Sequence, residues 1–314
     1  MPDLSFGPRG WTPDRMGDLQ GKTFVITRAT AGTGYEATKM LLTQGARVIM
    51  LNRNPEKSAA TLETLKAEVG AEAQVESIQM DLSSLASVRQ AAAAVLVQAP
   101  QIDALICNAA IAQVATRELT ADGFESQFGV NHLGHFLLVG LLFECIKASS
   151  GRVVVVGSNA YRMGGKRIRF EDINWAGKYS AWNAYAQSKL AQMMFGFELE
   201  RRVRAANSGV QVHVCHPGAA QTDLIKGKAS PVVKFIWGLL SPLAQTAAKG
   251  ARPEVMCATE TGLAGQTLYG PTKRGEMLGP VGVCKLEDFA LDEQAAAQLW
   301  DLSVEMTGFD WTGR

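Results

Sequence analysis

Short apolar runs alternate with longer stretches of mixed polarity along most of the chain. The runs are rich in Val, Ile and Thr, which favours buried strands. The predicted strands are residues 23–27, 47–51, 75–80, 103–107, 152–156 and 210–215. Apolar side chains recur at helical spacing between them and predict helices over residues 35–44, 57–69, 84–98, 124–147 and 182–204. This alternation predicts an α/β fold with a doubly wound parallel sheet of the Rossmann type.

No linker or repeat interrupts the alternation of strand and helix, so residues 21–314 are predicted to form a single domain. Residues 1–20 are predicted to be a polar N-terminal arm, and residues 301–314 a short tail. The alternation stops at residues 223–251, where the apolar stretch 232–240 lies between two prolines. Because it follows a strand end near the predicted site, we expect residues 222–251 to form a lid over an apolar substrate. A core helix or an oligomer interface is an equally good alternative.

The composition is that of an ordinary globular protein, with 314 residues, 47% hydrophobic residues and a net charge of +1. This charge gives no reason to expect nucleic acid as a partner. The five cysteines lack C-x-x-C spacing, which argues against a disulfide framework or a zinc site and fits a reducing compartment. No apolar N-terminal signal and no apolar run long enough to span a membrane are evident. We therefore expect a cytoplasmic protein.

A glycine-containing turn joins the first predicted strand to the first helix. The turn runs from Arg28 through Gly32 and Gly34, directly after Thr27. Strand, turn, helix and strand form a βαβ unit that places these glycines at a helix N-terminus. Backbone N–H groups and the helix dipole can hold a pyrophosphate there. A plain tight turn is the alternative.

Tyr185 and Lys189 lie four residues apart, on one face of a predicted helix. A nearby ammonium favours the phenolate, so we expect Lys189 to lower the pKa of Tyr185 towards neutrality. Ser158 follows the apolar run 153–156, at the strand end where open α/β sheets bind ligands. The three side chains together could polarise a carbonyl and move a proton. An amphipathic helix with a surface lysine and a half-buried tyrosine is the alternative.

The end of the second strand bears on the choice of cofactor. NAD enzymes place a carboxylate there for the ribose 2′-hydroxyl, whereas an arginine accommodates a 2′-phosphate. This chain has Leu51-Asn52-Arg53 and no carboxylate, so we expect NADP(H) rather than NAD(H). A solvated arginine on a surface loop is the alternative.

Seven short motifs, in this order, resemble the classical type of short-chain dehydrogenase/reductase over roughly residues 20–270. They are Thr27-x-x-x-x-Gly32-x-Gly34, Asp81-Leu82, Cys107-Asn108-Ala109-Ala110, Asn131-His132-Leu133-Gly134-His135, Gly157-Ser158, Tyr185-x-x-x-Lys189 and Pro217-Gly218-x-x-x-Thr222. Residues 170–174, 184–191 and 198–202 are similar to retinol-dehydrogenase-like members. Residues 107–110 and 120–125 also resemble light-dependent protochlorophyllide reductases, but residues 216–220 lack the cysteine expected for that photoenzyme.

The resemblance implies an oxidoreductase that interconverts a carbonyl and an alcohol. With Arg53 and the apolar stretch 232–240, we expect NADP(H) as cofactor and a lipophilic small molecule as substrate. Tyr185 would give the proton to the carbonyl oxygen, and Lys189 would lower its pKa and hold the nicotinamide ribose. Ser158 would bind the substrate oxygen, and Asn131 would position a helix kink and a water. The implied cofactor contacts are Thr27, Arg28, Gly32, Thr33, Gly34, Asn52, Arg53, Asp81 (adenine), Leu82, Asn108 (adenosine side), Ala109, Tyr185, Lys189, Pro217, Gly218 and Thr222 (carboxamide or phosphate region).

Arg28 stands where the family has glycine, and three outcomes are open. It could fold outward and add a charge for the 2′-phosphate, weaken the cofactor site, or mark a chain that binds something else. Ala110, where glycine is also usual, is a milder departure. The alternative functions are therefore a catalytically idle binding or sensor protein on the same fold, or a protochlorophyllide-reductase-like enzyme.

The helices that carry Asn131 and Tyr185 have long apolar faces. Such helices often pair between subunits in relatives, which makes a homodimer or homotetramer possible. The four histidines show no convincing metal-ligand spacing, so we predict no metal and regard His132 and His135 as core or loop residues.

Overall fold

The computed structural model describes residues 6–221, 230–231, 238 and 244–311. An eight-stranded sheet runs through it in the order β3-β2-β1-β4-β5-β6-β7-β8. The strands are β1 Thr23–Thr27, β2 Arg47–Asn52, β3 Val75–Gln79, β4 Ala104–Cys107, β5 Arg152–Val156, β6 Gln211–Cys215, β7 Leu268–Lys273 and β8 Leu278–Cys284. All neighbouring strands pair in parallel except β7 and β8, which are antiparallel. The predicted α/β fold with a doubly wound sheet is confirmed.

Helices cover both faces of this sheet. They are α1 Gly32–Thr43, α2 Pro55–Val69, α3 Leu85–Gln98, α4 Ser126–Phe128, α5 Gly134–Ala148, α6 Ala181–Ala205, α7 Ala247–Thr259 and α8 Glu293–Thr307. Apolar residues of α3, α5, α6 and α8 form the core on one face, and those of α1 and α7 form the core on the other. The strands are consequently buried on both faces, which explains why they read as continuous apolar runs.

The order of the strands creates the crevice in which a ligand can bind. β1 pairs with β2 on one side and with β4 on the other, so the chain reverses its direction of winding here. Open α/β sheets bind ligands outside the carboxyl ends of strands at such a switch point. The ends of β1 and β4 bring Thr27 and Cys107 to this edge, each followed by residues of the predicted cofactor site.

The C-terminal part of the chain differs from the sequence prediction. The predicted tail at 301–314 is wrong, since Asp301 lies inside α8 and Trp311 is buried against Phe136 and Trp300. Strands β7 and β8 were not predicted from the sequence, because their Gly and Pro residues break the apolar alternation. These elements extend the sheet beyond β6 and close the core under α6.

The predicted polar arm is also wrong in its inner half. Trp11 is fully buried, and its Nε1 donates to Glu260 Oε2 at 2.7 Å. Arg15 binds the same carboxylate at 2.9 Å. An indole with a charged partner packs a chain end against the body of the fold, and here it fixes the N-terminal segment beside the end of α7.

The predicted lid lies largely outside the described residues. Its last residues, from Ala247 to Ala251, form the first part of α7, which packs against α1, and so they belong to the body of the fold. The apolar stretch 232–240 and Thr222 fall almost wholly on residues that the structure does not describe.

One long helical stretch passes the length and composition test for a membrane span, although the sequence predicts no such run. Residues Ser126–Ala148 are long and apolar enough by length and composition, and 89% of their most apolar window is buried inside the fold. Leu133, Leu137 and Met193, on the faces that suggested an oligomer, are likewise buried within the single chain. The oligomeric state stays a prediction.

Candidate active site

The turn after β1 is tied to the end of β4 by Asn108. Its Nδ2 donates to the carbonyls of Thr27 and Arg28 at 2.9 and 3.0 Å, and its Oδ1 accepts from the Thr33 hydroxyl at 3.0 Å. A Cβ on Gly34 would come within 2.4 Å of the Arg28 carbonyl, so only glycine fits there. The predicted cofactor turn and the Asn108 motif therefore form one unit.

The first turn of α1 is arranged as an anion site. Gly32 adopts a left-handed backbone with φ 64°, and the N-cap residue Ala31 makes no side-chain hydrogen bond to the first turn. The first N–H groups of a helix have no partner within the helix, and they favour anions. The turn thus suits the pyrophosphate of a dinucleotide.

Arg28 directs its side chain towards the catalytic residues, not outward. Its backbone is left-handed, with φ 57°, and its Nη1 donates to the Ala110 carbonyl at 3.4 Å. Its positive charge acts on both Tyr185 and Lys189, lowering the pKa of each. Of the three outcomes considered for Arg28, the outward orientation towards a 2′-phosphate is contradicted in this structure.

Asn52 and Arg53 have different roles at the end of β2. Asn52 is buried, and it accepts from the Ala29 N–H at 2.8 Å and donates to Ser77 at 3.3 Å. Arg53 is exposed, and its guanidinium makes no hydrogen bond or ion pair within the described residues. Asn52 thus fixes the turn, while Arg53 remains available to a ligand phosphate.

The predicted adenine contacts lie at the end of β3. Asp81 is half-buried, and its Oδ1 accepts from the backbone N–H and the hydroxyl of Ser83 at 2.9 and 2.7 Å. Leu82 is buried against Gly134, where a Cβ would come within 2.8 Å of the leucine side chain. On the other side of the crevice, the Ala109 N–H donates to the Thr27 hydroxyl at 2.8 Å.

Ser158 and Tyr185 converge, as the sequence predicts. Ser158 follows β5 and caps a short helical turn, and its hydroxyl hydrogen-bonds to the Tyr185 oxygen. Tyr185 is only 6% exposed. Burial raises the pKa of Tyr185, and the Ser158 hydrogen bond and the charge of Arg28 act in the opposite direction.

The Lys189 side chain is buried at the end of β5. Its Nζ donates to the Val156 carbonyl at 3.0 Å and to Gln192 Oε1 at 2.9 Å. Burial lowers the pKa of Lys189 to about 7, and the charge of Arg28 adds to this effect. The charge of Arg28 also lowers the pKa of the Tyr185 phenol, and the expected effect of Lys189 on that phenol stays a prediction.

Asn131 lies in a π-helical turn, Gly129–Leu133, between α4 and α5. Its Oδ1 accepts from the Ile111 N–H at 2.8 Å, and its Nδ2 donates to the Ile111 carbonyl and to Ser188 Oγ, both at 2.9 Å. π-turns inside helices occur frequently at functional sites. Asn131 thus joins the chain after β4 to the Tyr185 helix through its side chain.

His135 is a site residue that sequence reasoning missed. Its Nδ1 lies 2.9 Å from the Asn131 carbonyl, which can only accept, so Nδ1 carries the proton. Nε2 therefore accepts from the Thr27 hydroxyl at 3.0 Å. Burial lowers the pKa of His135 to about 4, so the ring is neutral at physiological pH. The chain of hydrogen bonds links the cofactor turn directly to the π-turn.

The loop after β6 completes the crevice. Gly218 has φ 65°, and a Cβ there would lie 2.4 Å from the Met277 carbonyl, so the close approach of the β7–β8 turn requires glycine. The Gln245 side-chain Nε2 donates a hydrogen bond to the Pro217 carbonyl at 2.6 Å. These contacts place Pro217 and Gly218 near Ser158, since the Asn159 side chain donates to the Glu276 carbonyl in the same β7–β8 turn.

One group in the described part of the chain has the spacing of a metal site. Ligand atoms of His216, Glu276 and Cys284 lie within 4.8 Å of one another. However, Glu276 already accepts from Arg162 at 2.7 Å and from the Lys285 N–H at 2.6 Å. The guanidinium opposes a second cation, so the absence of a metal stays our prediction.

Comparison with known proteins places this geometry in context. A family model described as short chain dehydrogenase matches residues 22–170. Retinol dehydrogenase 14 of Homo sapiens is 38% identical over 96% of this chain and 92% of its own length. Retinol dehydrogenase 12 of Homo sapiens is 35% identical over 93% of this chain and 88% of its own length.

Solved structures give the same picture. An uncharacterised protein from Mycobacterium paratuberculosis superposes with a TM-score of 0.78 at 36% identity, covering 96% of this chain and 99% of that chain. A short-chain dehydrogenase from Shigella flexneri in complex with NADP has a TM-score of 0.62 at 21% identity, covering 78% and 94% of the two chains. At that identity the likeness shows the fold alone.

These relatives correct the predicted location. The composition predicts a cytoplasmic protein, but this prediction is wrong, because the similar retinol dehydrogenases are membrane-associated proteins.

Proposed function

The chain belongs to the short-chain dehydrogenase/reductase family and is a carbonyl/alcohol oxidoreductase, and from this premise we propose that it uses NADP(H) and acts on a lipophilic small molecule. The pair formed by half-buried Ser158 and buried Tyr185 carries this proposal. Two neighbouring hydroxyls can bind one carbonyl oxygen and transfer a proton to it. The cofactor, when bound, supplies or accepts the hydride.

The chain's own residues perform the proton chemistry. In the reducing direction Tyr185 gives its proton to the substrate oxygen, and Ser158 holds that oxygen in place. Lys189 is 2% exposed with a pKa near 7, so it can gain or lose a proton at working pH. Asn131 keeps the helix of Tyr185 and Lys189 in register through Ser188.

The cofactor turn fits a dinucleotide phosphate. Gly34 leaves no room for a side chain, and the uncapped first turn of α1 presents its N–H groups. Arg53 supplies an exposed guanidinium at the end of β2, where a 2′-phosphate is expected. Thr27, Thr33, Asp81, Leu82, Asn108 and Ala109 line the predicted path of the cofactor; together with Pro217, Gly218 and Thr222, they remain proposed contacts.

A lipophilic substrate suits the walls around Tyr185. Ala112 and Ala160 pack against the tyrosine in a small apolar cluster. Met277, in the β7–β8 turn beside the Ser158 loop, is 42% exposed. An apolar wall with one pair of hydroxyls favours a substrate that has a single polar reacting group.

The experiment is the substitution Tyr185→Phe. We expect kcat for aldehyde or ketone reduction to fall roughly 100- to 10,000-fold, because general acid catalysis is lost. The dissociation constant for NADPH should stay nearly unchanged. Tyr179→Phe is the matched control, since that hydroxyl binds the Val114 carbonyl outside the site, and its activity should be retained. Retained turnover in Tyr185→Phe would refute the assignment.

A catalytically idle binding protein is the second candidate, and the orientation of Arg28 favours it. The guanidinium lies between the cofactor turn and the catalytic pair. A protein that binds neither NADPH nor NADH would support this alternative. An Arg28→Gly variant that gains NADPH binding would identify Arg28 as the cause.

A further inference from the structure

A recess separate from the four catalytic residues opens beside the start of α6. It has a volume of about 260 Å³. The segment after the Ser158 turn forms one wall, and the first turns of α6 form the other. Its polar lining consists chiefly of Lys166, Arg167, Arg169, Trp175, Asn183 and Gln187.

The recess carries positive charge. Between Arg162 and Lys178 the chain has five basic and two acidic side chains, although the whole protein has a net charge of only +1. Arg167 pairs with Glu171, and Arg169 pairs with Asp172 at 3.3 Å. Both acids are thus already used by neighbouring arginines.

Lys166 supplies the charge that these acids do not balance. Its side chain is exposed and makes no hydrogen bond or ion pair within residues 6–221 and 244–311. The charge of Lys166 lowers the pKa of Glu287 without direct contact, while Glu287 forms an ion pair with Lys285 at 2.9 Å. An anion entering the recess would therefore meet an ammonium with no ion pair to break.

One lining residue of the recess, Trp175, carries a buried donor. Trp175 is 5% exposed, and its Nε1 has no hydrogen-bond partner among the residues that the structure describes. The Arg169 guanidinium stacks 4.3 Å from its ring centroid. An unpaired buried N–H costs free energy, and an oxygen of a bound anion would remove this cost.

Two exposed apolar side chains lie in the segments that line the recess, close to its lining residues Gly165 and Asn183 in the sequence. Met163 is 63% exposed and Trp182 is 39% exposed. They are adjacent, because Trp182 Nε1 donates to the Met163 carbonyl at 3.1 Å. Exposed Trp and Met beside Lys and Arg are suited to a membrane surface, where the rings and thioethers enter the apolar edge and the cations meet lipid phosphates.

We propose that this recess binds the phosphate of an anionic lipid headgroup, while Met163 and Trp182 enter the apolar edge of the bilayer. Lys166 and the Trp175 N–H hold the phosphate oxygens. Trp182 precedes Tyr185 by less than one helical turn, so docking would set the start of the catalytic helix at the membrane surface. The inference concerns binding alone and does not depend on the proposed function.

The test is sedimentation of the full chain with vesicles, without cofactor or substrate. Vesicles of phosphatidylcholine alone are compared with vesicles that also contain phosphatidylserine. We expect roughly tenfold stronger binding to the anionic vesicles, decreasing with salt. Lys166→Glu should weaken the affinity for the anionic vesicles about tenfold. Lys57→Glu, an exposed lysine on α2, is the matched control and should bind as wild type.

Two further measurements separate the lipid from other ligands. Met163→Ser should weaken binding to the anionic vesicles, because an apolar contact with the bilayer is lost. Soluble glycerol 3-phosphate tests for a free anion. Its binding without any vesicle binding would overturn the proposal, as would equal binding to both kinds of vesicle or unchanged binding of Lys166→Glu.

Discussion

At the scale of single residues, Arg28 shows how far a sequence position can be interpreted. The sequence shows that an arginine replaces the family's glycine, but it cannot show where the side chain points. The left-handed backbone, φ 57°, turns the guanidinium towards the Ala110 carbonyl and the catalytic pair. The sequence predicts a positive charge beside Tyr185 from Lys189, and the structure adds a second one from Arg28.

Arg28→Gly tests this charge. Since Arg28 lowers the pKa of Tyr185, its removal should move the rising limb of the pH profile for alcohol oxidation to higher pH. Glycine also relieves the left-handed backbone, which should raise the free energy of unfolding by about 1 kcal/mol. Arg53→Ala, outside the catalytic pocket, should leave the limb in place. An unmoved limb in Arg28→Gly would mean that the guanidinium does not act on the phenol.

At the scale of elements, the helix from Ser126 to Ala148 is the instructive case. Its extent follows from the apolar spacing, but the π-turn at Gly129–Leu133 does not. The turn depends on distant partners, since Asn131 bonds to Ile111 and Ser188, and a local pattern cannot encode them. For the same reason, the sequence identifies His135 only as a core or loop residue and does not show its link to Thr27.

His135→Leu tests the link between the π-turn and the cofactor turn. The change removes the acceptor of the Thr27 hydroxyl proton and one donor to the Asn131 carbonyl, so stability should fall by about 1–3 kcal/mol. The KM for NADPH should rise more than kcat falls, because the cofactor turn loses its support. His135→Gln keeps a donor and an acceptor, so it should restore part of the lost stability and part of the affinity for NADPH. A leucine variant with normal stability and normal KM would show that the link has no such role.

At the scale of the whole molecule, the six central strands were predictable and the two ends of the chain were not. Buried parallel strands have a local signature of continuous apolar residues. Trp11 and Trp311, in contrast, are buried by contacts with distant elements, so their neighbours in sequence look like polar tails. The helical spacing of α8, after Asp292 as N-cap, was a usable signal that the predicted tail overlooked.

The core also contains a carboxyl group that should make stability depend on pH. Glu254 in α7 is 1% exposed, and neither oxygen has a hydrogen-bond partner within the described part of the chain. Burial raises the pKa of Glu254 to about 8. Between about pH 4.5 and 8 the folded state keeps a proton that the unfolded state loses, so stability falls as pH rises through this range.

Glu254→Met should abolish that dependence. The difference in free energy of unfolding between the variant and wild type should shift in favour of the variant by on the order of 3 kcal/mol from pH 5 to pH 8. Denaturant unfolding at both pH values measures this difference. Glu293→Met, at an exposed glutamate, is the control and should keep the wild-type slope. If the free energy of unfolding depends on pH in the same way in wild type and in Glu254→Met, Glu254 does not hold the proton.

The central claim is an oxidoreductase that uses NADP(H), and a titration of the protein with NADPH and with NADH tests it most directly. Nicotinamide fluorescence reports binding of either cofactor. We expect NADPH to bind roughly tenfold or more tightly than NADH, because Arg53 pairs with the 2′-phosphate. Arg53→Ala should remove this preference, whereas Lys57→Ala, in the adjacent first turn of α2, should keep it. Equal binding of the two cofactors, or binding of neither, would contradict the account.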